Sequence, residues 1–274
     1  MEYLTCRHSY AGGDLVSLLP GLRHVHKETG KKWIIYQRID FELFYYEGMI
    51  PATVNSEGKA VSMNRKHFDM LKPLLLAQDY IEDFREWKGE KCDIDMDKSR
   101  DSRSIPMPYV SLHQLPFLIA PELQCDLSEP WLNVSKGRDL YFNKVPNVQD
   151  LVIVNRTQRY TNPNIHYYFL KQYEQNLIFS GTPTEHEVFC KQWGLDIPYL
   201  QINDFLELSV YLQRCRFFLG NQSCLWHICN AIGKNRILEV CGVFPNTWST
   251  TKGGYHYIFQ EAAEVLFYKM FNNV

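Results

Sequence analysis

The chain has little net charge, no closely spaced cysteine pair and no long apolar run. A formal charge of −2 over 274 residues offers no general attraction for nucleic acid or an anionic membrane surface. Eight cysteines are scattered without a Cys-x-x-Cys pair, so the usual zinc spacing is missing. Several of them (Cys6, Cys215, Cys229, Cys241) fall inside core-like runs, where a thiol behaves as a small apolar group. Reduced thiols of this kind fit the cytosol. No apolar run approaches the roughly 18 residues that cross a bilayer. Tyr3 to Cys6 reads as a strand, without the basic head and apolar centre of a secretory leader. A cytoplasmic protein with no transmembrane segment is the expectation.

What is present is ordinary globular composition, 45% hydrophobic and 22% charged, with length enough for two cores. Fourteen per cent aromatic residues predicts dense packing. The opening predicts strand 3–8, a glycine turn at Ser9 to Gly13, a helix from Asp14 to Thr29 bent by Pro20 and stopped by Gly30, and a strand at Trp33 to Tyr36. Such a βαβ unit implies a parallel sheet. A helix at His67 to Ala77, disturbed by Pro73, follows, and then Tyr80 to Trp87 without a clean period. Prolines at 106, 108, 116, 121 and 130 punctuate a loop-rich region, the expected place of a domain connection.

The second half alternates regularly. Strands are expected at 151–154, 177–181, 199–202, 217–219 and 236–240. Helices are expected at 165–175, from a capping box at Thr184 to Trp193, at 204–213, from Ser223, and at 257–271. The pattern is that of a doubly wound α/β sheet, which takes ligands beyond the carboxyl ends of its strands. Within it, Arg216 to Leu219 ends in Gly220-Asn221-Gln222-Ser223 and runs into a helix. The unpaired amides and positive dipole end of that helix suit a phosphate, while an ordinary capped turn accounts for the same residues.

The run Cys92 to Asp101 contains Asp93, Asp95 and Asp97 at the Asp-x-Asp spacing of metal-dependent sugar transferases. A calcium loop is excluded, because Lys98 stands where glycine is required and Ser104 where the bidentate glutamate belongs. A half-exposed strand fits the alternation equally well, and no metal is expected.

Two separated stretches carry a resemblance. Gly13-Asp14-Leu15-Val16-Ser17-Leu18-Leu19-Pro20-Gly21-Leu22-Arg23 resembles the opening Gly-Asp-x-x-x-x-x-Pro-x-(Leu/Ile)-(Arg/Lys) signature of heptosyltransferase-like (family 9) glycosyltransferases, which have the GT-B fold. Gly220-Asn221-Gln222-Ser223-x-x-x-His227 is similar to that family's donor-binding turn, with Gln222 at its usual acidic position and Cys224 at its second glycine. The resemblance implies two Rossmann-like domains facing a cleft: an acceptor-side unit over 1–130, a nucleotide-sugar unit over 131–255, and a helix over 256–274 returning to the first unit. It also implies an inverting transfer from a nucleotide-sugar donor to a saccharide or other acceptor hydroxyl. The donor is a substrate, so no cofactor is expected. A hydroxylated nucleic-acid base is another possible acceptor, although the net charge lends it no support.

Such a reaction needs a base, stabilisation of the departing diphosphate and recognition of the nucleotide. Asp14 can serve as the base or cap its helix, with Gly12 and Gly13 on the acceptor side. Arg156 and Arg159 follow the first strand of the second half, and one of them is expected to touch phosphate. Gly220, Asn221, Gln222 and Ser223 form the expected donor turn, and neutral donors there would replace a metal. His227 lies one turn after Ser223 and suits packing or donor contact equally. Glu239 suits ribose binding or a structural hydrogen bond, and Phe244 or Trp248 suits stacking on a base or sugar. A nucleotide-sugar-binding protein without transfer activity and a nucleotide-sugar epimerase are the rival readings.

Overall fold

Short parallel strands joined by helices return each successive strand in the same direction, and this chain does so twice. The structure, a computed structural model, describes residues 3–43, 50–51, 53–100, 110–144 and 146–274. Pro106 and Pro108 of the proline-punctuated stretch, and Asp101 and Ser104 before them, lie outside the described residues. The first half contains β1 (Tyr3–His8), α1 (Gly12–Thr29), β2 (Lys32–Gln37), α2 (Arg65–Leu76), β3 (Ile81–Glu86) and β4 (Ile94–Asp95). After α3 (Ser135–Tyr141) come β5 (Val152–Asn155), β6 (Leu177–Phe179), α4 (Pro183–Trp193) and α5 (Phe205–Arg214). The chain continues through β7 (Phe217–Asn221), α6 (Cys224–Ala231), β8 (Arg236–Glu239), β9 (Gly254–Tyr257) and α7 (Gln260–Asn272).

The sheets have strand orders β3-β2-β1-β4 and β6-β5-β7-β8-β9, and every strand pairing within them is parallel. Strand order reverses between β1 and β4 in one sheet and between β5 and β7 in the other. At such a point the outgoing loops part and leave a crevice beyond the strand ends.

Period-2 alternation distributes the apolar side chains of the second sheet. Ile153, Phe218 and Leu238 face inward, into one core shared with Cys6 and Ile35 of the first sheet and with α1, α2, α5 and α6. Val152, Val154, Phe217, Leu219 and Ile237 face outward, into a separate core. Burial on both faces explains why these strands read as continuous apolar runs.

Several elements differ from the expectation. Gly12 and Gly13 are the first residues of α1, with Ala11 at the N-cap and Gly30 closing the helix at φ 72°. The capping box of α4 pairs Thr182 with Glu185 and does not use Thr184. Residues 168–176 form 3-10 turns in place of an α-helix, and the expected strand at 199–202 is a single bridge from Tyr199 to Phe179. The proline-rich stretch is more than a connection. Trp131 is buried, its indole donates to Val16 O (3.0 Å) and its backbone N–H to Ala231 O (2.9 Å), tying α1 to the end of α6.

The final helix corrects the expectation most clearly. It does not return to the first unit: Ala263 and Phe267 of α7 are buried in the outer core of the second sheet. Phe267 meets Tyr173 at 4.9 Å and Phe217 at 5.3 Å between ring centroids. The cause is β9, a short glycine-led strand that the sequence pattern does not reveal. By adding a fifth strand it delivers the chain to the sheet's outer face, and Val240 N–H bonded to Tyr257 O (3.0 Å) holds it there. Phe267→Ala should therefore destabilise the protein by about 3–5 kcal/mol. Phe259→Ala, at a side chain 69% exposed, should change stability by less than about 0.5 kcal/mol. Chemical denaturation of both variants checks this, and a near-neutral Phe267→Ala would remove α7 from that core.

Candidate functional site

A cleft of about 1340 Å³ is lined by the loops that leave both sheets: Tyr10 to Asp14 after β1, Arg100 after β4, Asn155, Thr157 and Arg159 after β5, Ser180 to Thr182 after β6, and Gln222 to Leu225 after β7. All but the loop after β6 leave strands at the switch points of the two sheets, where doubly wound folds open a crevice. The helices α1 and α6 begin on opposite sides of it and meet closely. A Cβ on Gly12 would lie 3.1 Å from Cys224 Sγ, and one on Gly13 would lie 2.6 Å from His227 Cδ2, so only glycine fits at residue 13.

On the first-half wall, Asp14 stands in the first turn of α1 without capping it: Ala11 is the N-cap and no side chain caps the helix. Its carboxylate instead pairs with the Arg100 guanidinium, which also lies over the Tyr10 ring, 4.9 Å from its centroid. Arg100 was not foreseen. Its position after β4, at the reversal of strand order, is the signal that would have found it.

The second-half wall separates the two candidate arginines. Arg159 lines the cleft. Arg156 does not line it; its Nε and Nη2 donate to Glu239 Oε2 (2.8 Å) and Oε1 (3.0 Å). Glu239 is fully buried and also accepts from the Tyr167 hydroxyl (2.6 Å) and from Asn162 N–H (2.5 Å). Although burial opposes it, the Glu239 carboxylate raises the Arg156 pKa above its ordinary value. Glu239 therefore has a structural role, and its carboxylate is filled by protein donors.

The donor turn divides in the same way. A Cβ on Gly220 would lie 2.7 Å from Asn155 O, so that glycine is a packing requirement of β7 beside β5. Asn221 is fully buried. Its Oδ1 accepts from Thr157 N–H (2.9 Å), and its Nδ2 donates to Thr157 O (2.9 Å) and Tyr160 O (2.9 Å). It straps down the loop that carries Arg159 and presents none of these groups to a ligand. Gln222 and Ser223 line the cleft; Gln222 Nε2 donates to Asn246 Oδ1 (2.9 Å), and Ser223 Oγ accepts from Trp226 N–H (3.2 Å). Accepting that bond leaves the Ser223 hydroxyl proton available to a ligand oxygen.

His227 also borders the cleft. Burial, with nearby His113 and Arg100, lowers its pKa well below the ordinary value, so the ring is neutral. Ser17 Oγ donates to Gly13 O (3.0 Å) and lies 2.8 Å from His227 Nδ1. A hydroxyl has one proton to give, so Nδ1 carries the ring proton and Nε2 is an acceptor. Burial pushes the neighbouring Cys224 thiol up to about 12, which keeps it protonated and removes a thiolate nucleophile at neutral pH.

The remaining candidates lie elsewhere. Neither Phe244 nor Trp248 lines the cleft, to which their loop contributes Asn246; Trp248 packs on His256 with centroids 5.2 Å apart. The three spaced aspartates form a ladder along β1. Asp93 accepts from Thr5 N–H and Oγ1 (both 2.8 Å), Asp95 binds Arg7 (2.9 Å), and Asp97 accepts from Ser9 Oγ (2.6 Å). Among the described residues no group of three or more His, Cys, Asp or Glu side chains is placed to hold a metal ion.

The same two-sheet architecture recurs in known structures. E. coli heptosyltransferase WaaC with ADP-2-deoxy-2-fluoro heptose superposes with a TM-score of 0.62 at 10% identity, covering 100% of both chains. The fold is that of the heptosyltransferases. A glycosyl transferase of family 9 from Veillonella parvula gives 0.57 at 10% identity, over 97% of this chain and 92% of its own. E. coli ADP-heptose lps heptosyltransferase II gives 0.57 at 13%, over 99% of each. No protein-family model and no curated sequence matches the chain. In this heptosyltransferase-like fold no helix among the described residues is long and apolar enough to cross a membrane.

The two arginines make a direct comparison. Arg156→Ala leaves the Glu239 carboxylate buried and unpaired, and should cost about 3–5 kcal/mol of stability. Arg159→Ala keeps the Glu239 carboxylate paired and should lower the melting temperature less than Arg156→Ala does; a phosphate-contacting role for it predicts nucleotide binding weakened at least about tenfold. Melting curves and nucleotide titrations of both variants check the assignment; equal effects on stability would overturn it.

Proposed function

We propose that the protein is a glycosyltransferase that moves a sugar from a nucleotide-sugar to an acceptor hydroxyl, with inversion and without a metal ion. One observation carries this reading. In a fold shared with heptosyltransferases along its whole length, the cleft is lined by Asp14 on one wall and by Arg159, Ser223 and the start of α6 on the other. Two Rossmann-like units then face each other, with residues 1–130 on the acceptor side and the donor held by the second sheet, to which α7 also belongs. The eight cysteines form no disulfide, which supports a place in the reducing cytoplasm.

In this mechanism Asp14 accepts the proton as the acceptor oxygen attacks the anomeric carbon, and the bond from that carbon to the phosphate oxygen breaks. The electron pair leaves with the diphosphate. Arg159 supplies charge, Ser223 a hydroxyl donor, and the first turn of α6 its free amides and positive dipole end. Arg100 holds the Asp14 carboxylate in the cleft until the acceptor engages it, which makes Arg100 a positioning residue. That same ion pair is the observation favouring the rival reading, a nucleotide-sugar-binding protein in which Asp14 is neutralised and does no chemistry.

A transfer assay separates the two. With a panel of nucleotide sugars and saccharide acceptors, product formation is expected, and donor binding without product would establish the rival. Asp14→Asn should lower single-turnover transfer by about 10²–10⁴-fold, the contribution of a positioned general base. Because the amide leaves Arg100 without its counter-charge, melting temperature is recorded alongside, and Arg100→Gln serves as the control that keeps the base. Turnover of Asp14→Asn within a few-fold of wild type would place the base elsewhere.

Turnover should also survive saturating EDTA, since side-chain cations and helix amides stabilise the leaving group. Loss of activity in EDTA restored by Mg²⁺ or Mn²⁺ would overturn the metal-free mechanism.

A further inference from the structure

Asn155 and Ser180 close the ends of adjacent strands. They directly follow the paired residues Val154 and Phe179 of β5 and β6, so in a parallel ladder their side chains stand side by side on one face. Both line the cleft, and they are 1% and 0% exposed. Asn155 Nδ2 donates to Ser180 O (2.7 Å), which fixes the orientation of the amide. Its other end, Oδ1, and the Ser180 Oγ are both buried without a hydrogen-bond partner among the described residues. Buried polar atoms are normally satisfied, and an unsatisfied pair at the wall of a large cleft points to a ligand. Gly181 keeps the place open: a Cβ there would lie 2.9 Å from Asn155 Nδ2 and 2.9 Å from Glu185 Oε2.

The chemistry of the two atoms selects the group they take. An amide oxygen only accepts hydrogen bonds, and so do the oxygens of an ionised diphosphate, so phosphate is excluded here. A hydroxyl does both: it can accept from Ser180 Oγ–H and donate to Asn155 Oδ1. We infer that Asn155 and Ser180 form a hydroxyl-reading pair that orients the donor, binding a hydroxyl of its ribose or of its transferred sugar. This rests on the transferase reading. With the diphosphate at Arg159 and Ser223, the pair provides a second fixed point, and two points set the direction of the donor in the cleft.

Ser180→Ala is the informative variant, because the hydroxyl it removes has no hydrogen-bond partner among the described residues. A structural serine would lower the melting temperature; a ligand-reading serine lowers affinity and leaves melting unchanged or higher. Wild type and Ser180→Ala are titrated calorimetrically with ADP, UDP, ADP-heptose and UDP-glucose. The expectation is a loss of about 3–10-fold in affinity, the size of one neutral hydrogen bond. A loss shared by the diphosphates and their sugars assigns the ribose hydroxyl, and a loss confined to the nucleotide sugars assigns the sugar. Unchanged affinity for every ligand that the wild type binds overturns the pair and leaves the transferase reading standing. Failure of the wild type to bind these four and the corresponding guanosine, thymidine and cytidine nucleotides and nucleotide sugars overturns the transferase reading, and this inference with it.

Discussion

The close approach of α1 and α6 is the constraint on which the cleft depends. Two helix starts can meet this tightly only where one side has no side chain, and Gly13 lies against the His227 ring with no room for a Cβ. Ser17, one turn further along α1, completes the contact through His227 Nδ1 (2.8 Å). That single hydrogen bond joins residues 210 positions apart and orients the imidazole, which burial keeps neutral. Because the contact joins the first turns of both helices, it brings Asp14 and Ser223 to the same opening. A shared core of Leu15, Val16, Leu19, Leu225 and Ile228 supports it from behind. Apolar burial therefore holds the two walls in register, and polar contacts set the detail.

Rigidity of the second-half wall comes from buried polar groups that do not touch the cleft. Glu239 and Asn221 grip the loop after β5 from two sides, at Arg156 and Asn162 and at Thr157 and Tyr160. A buried charge costs desolvation free energy and is tolerated when donors surround it; Glu239 has four such bonds from three residues. The loop is thus held close to one geometry before a ligand arrives, which reduces the ordering cost of binding. Arg159 gains its position from this scaffold.

The aspartate ladder shows the same economy in the opposite sense. Asp93, Asp95 and Asp97 have a spacing associated with metal binding, yet parallel pairing of β1 with Ile94 and Asp95 sets them against Thr5, Arg7 and Ser9. Each carboxylate bonds a residue on β1 or just after it. Position in the sheet, more than spacing, decides what an acidic run does.

The sequence by itself determined the alternation of strands and helices, the helix starts at Gly13 and at Ser223, and the doubly wound class. These are local properties, written in periods of two and 3.6 and in residues that permit tight turns. It also marked Asp14, Arg159, Gln222, Ser223 and His227, all of which border one cleft. Only the tertiary structure decided between residues of equal local promise. Arg156 and Arg159 are three positions apart, and a buried glutamate 83 positions beyond Arg156 claims it. Asn221 and Ser223 share a turn, and strand packing turns one inward as a strap while the other faces the cleft. Arg100, Asn155 and Ser180 carry no motif, because their meaning comes from strand ends made neighbours by sheet order. The weak strand β9, invisible as a pattern, redirected α7 to the outer face of the second sheet. In each case the deciding partner is distant in sequence, and only packing selects which distant partner arrives.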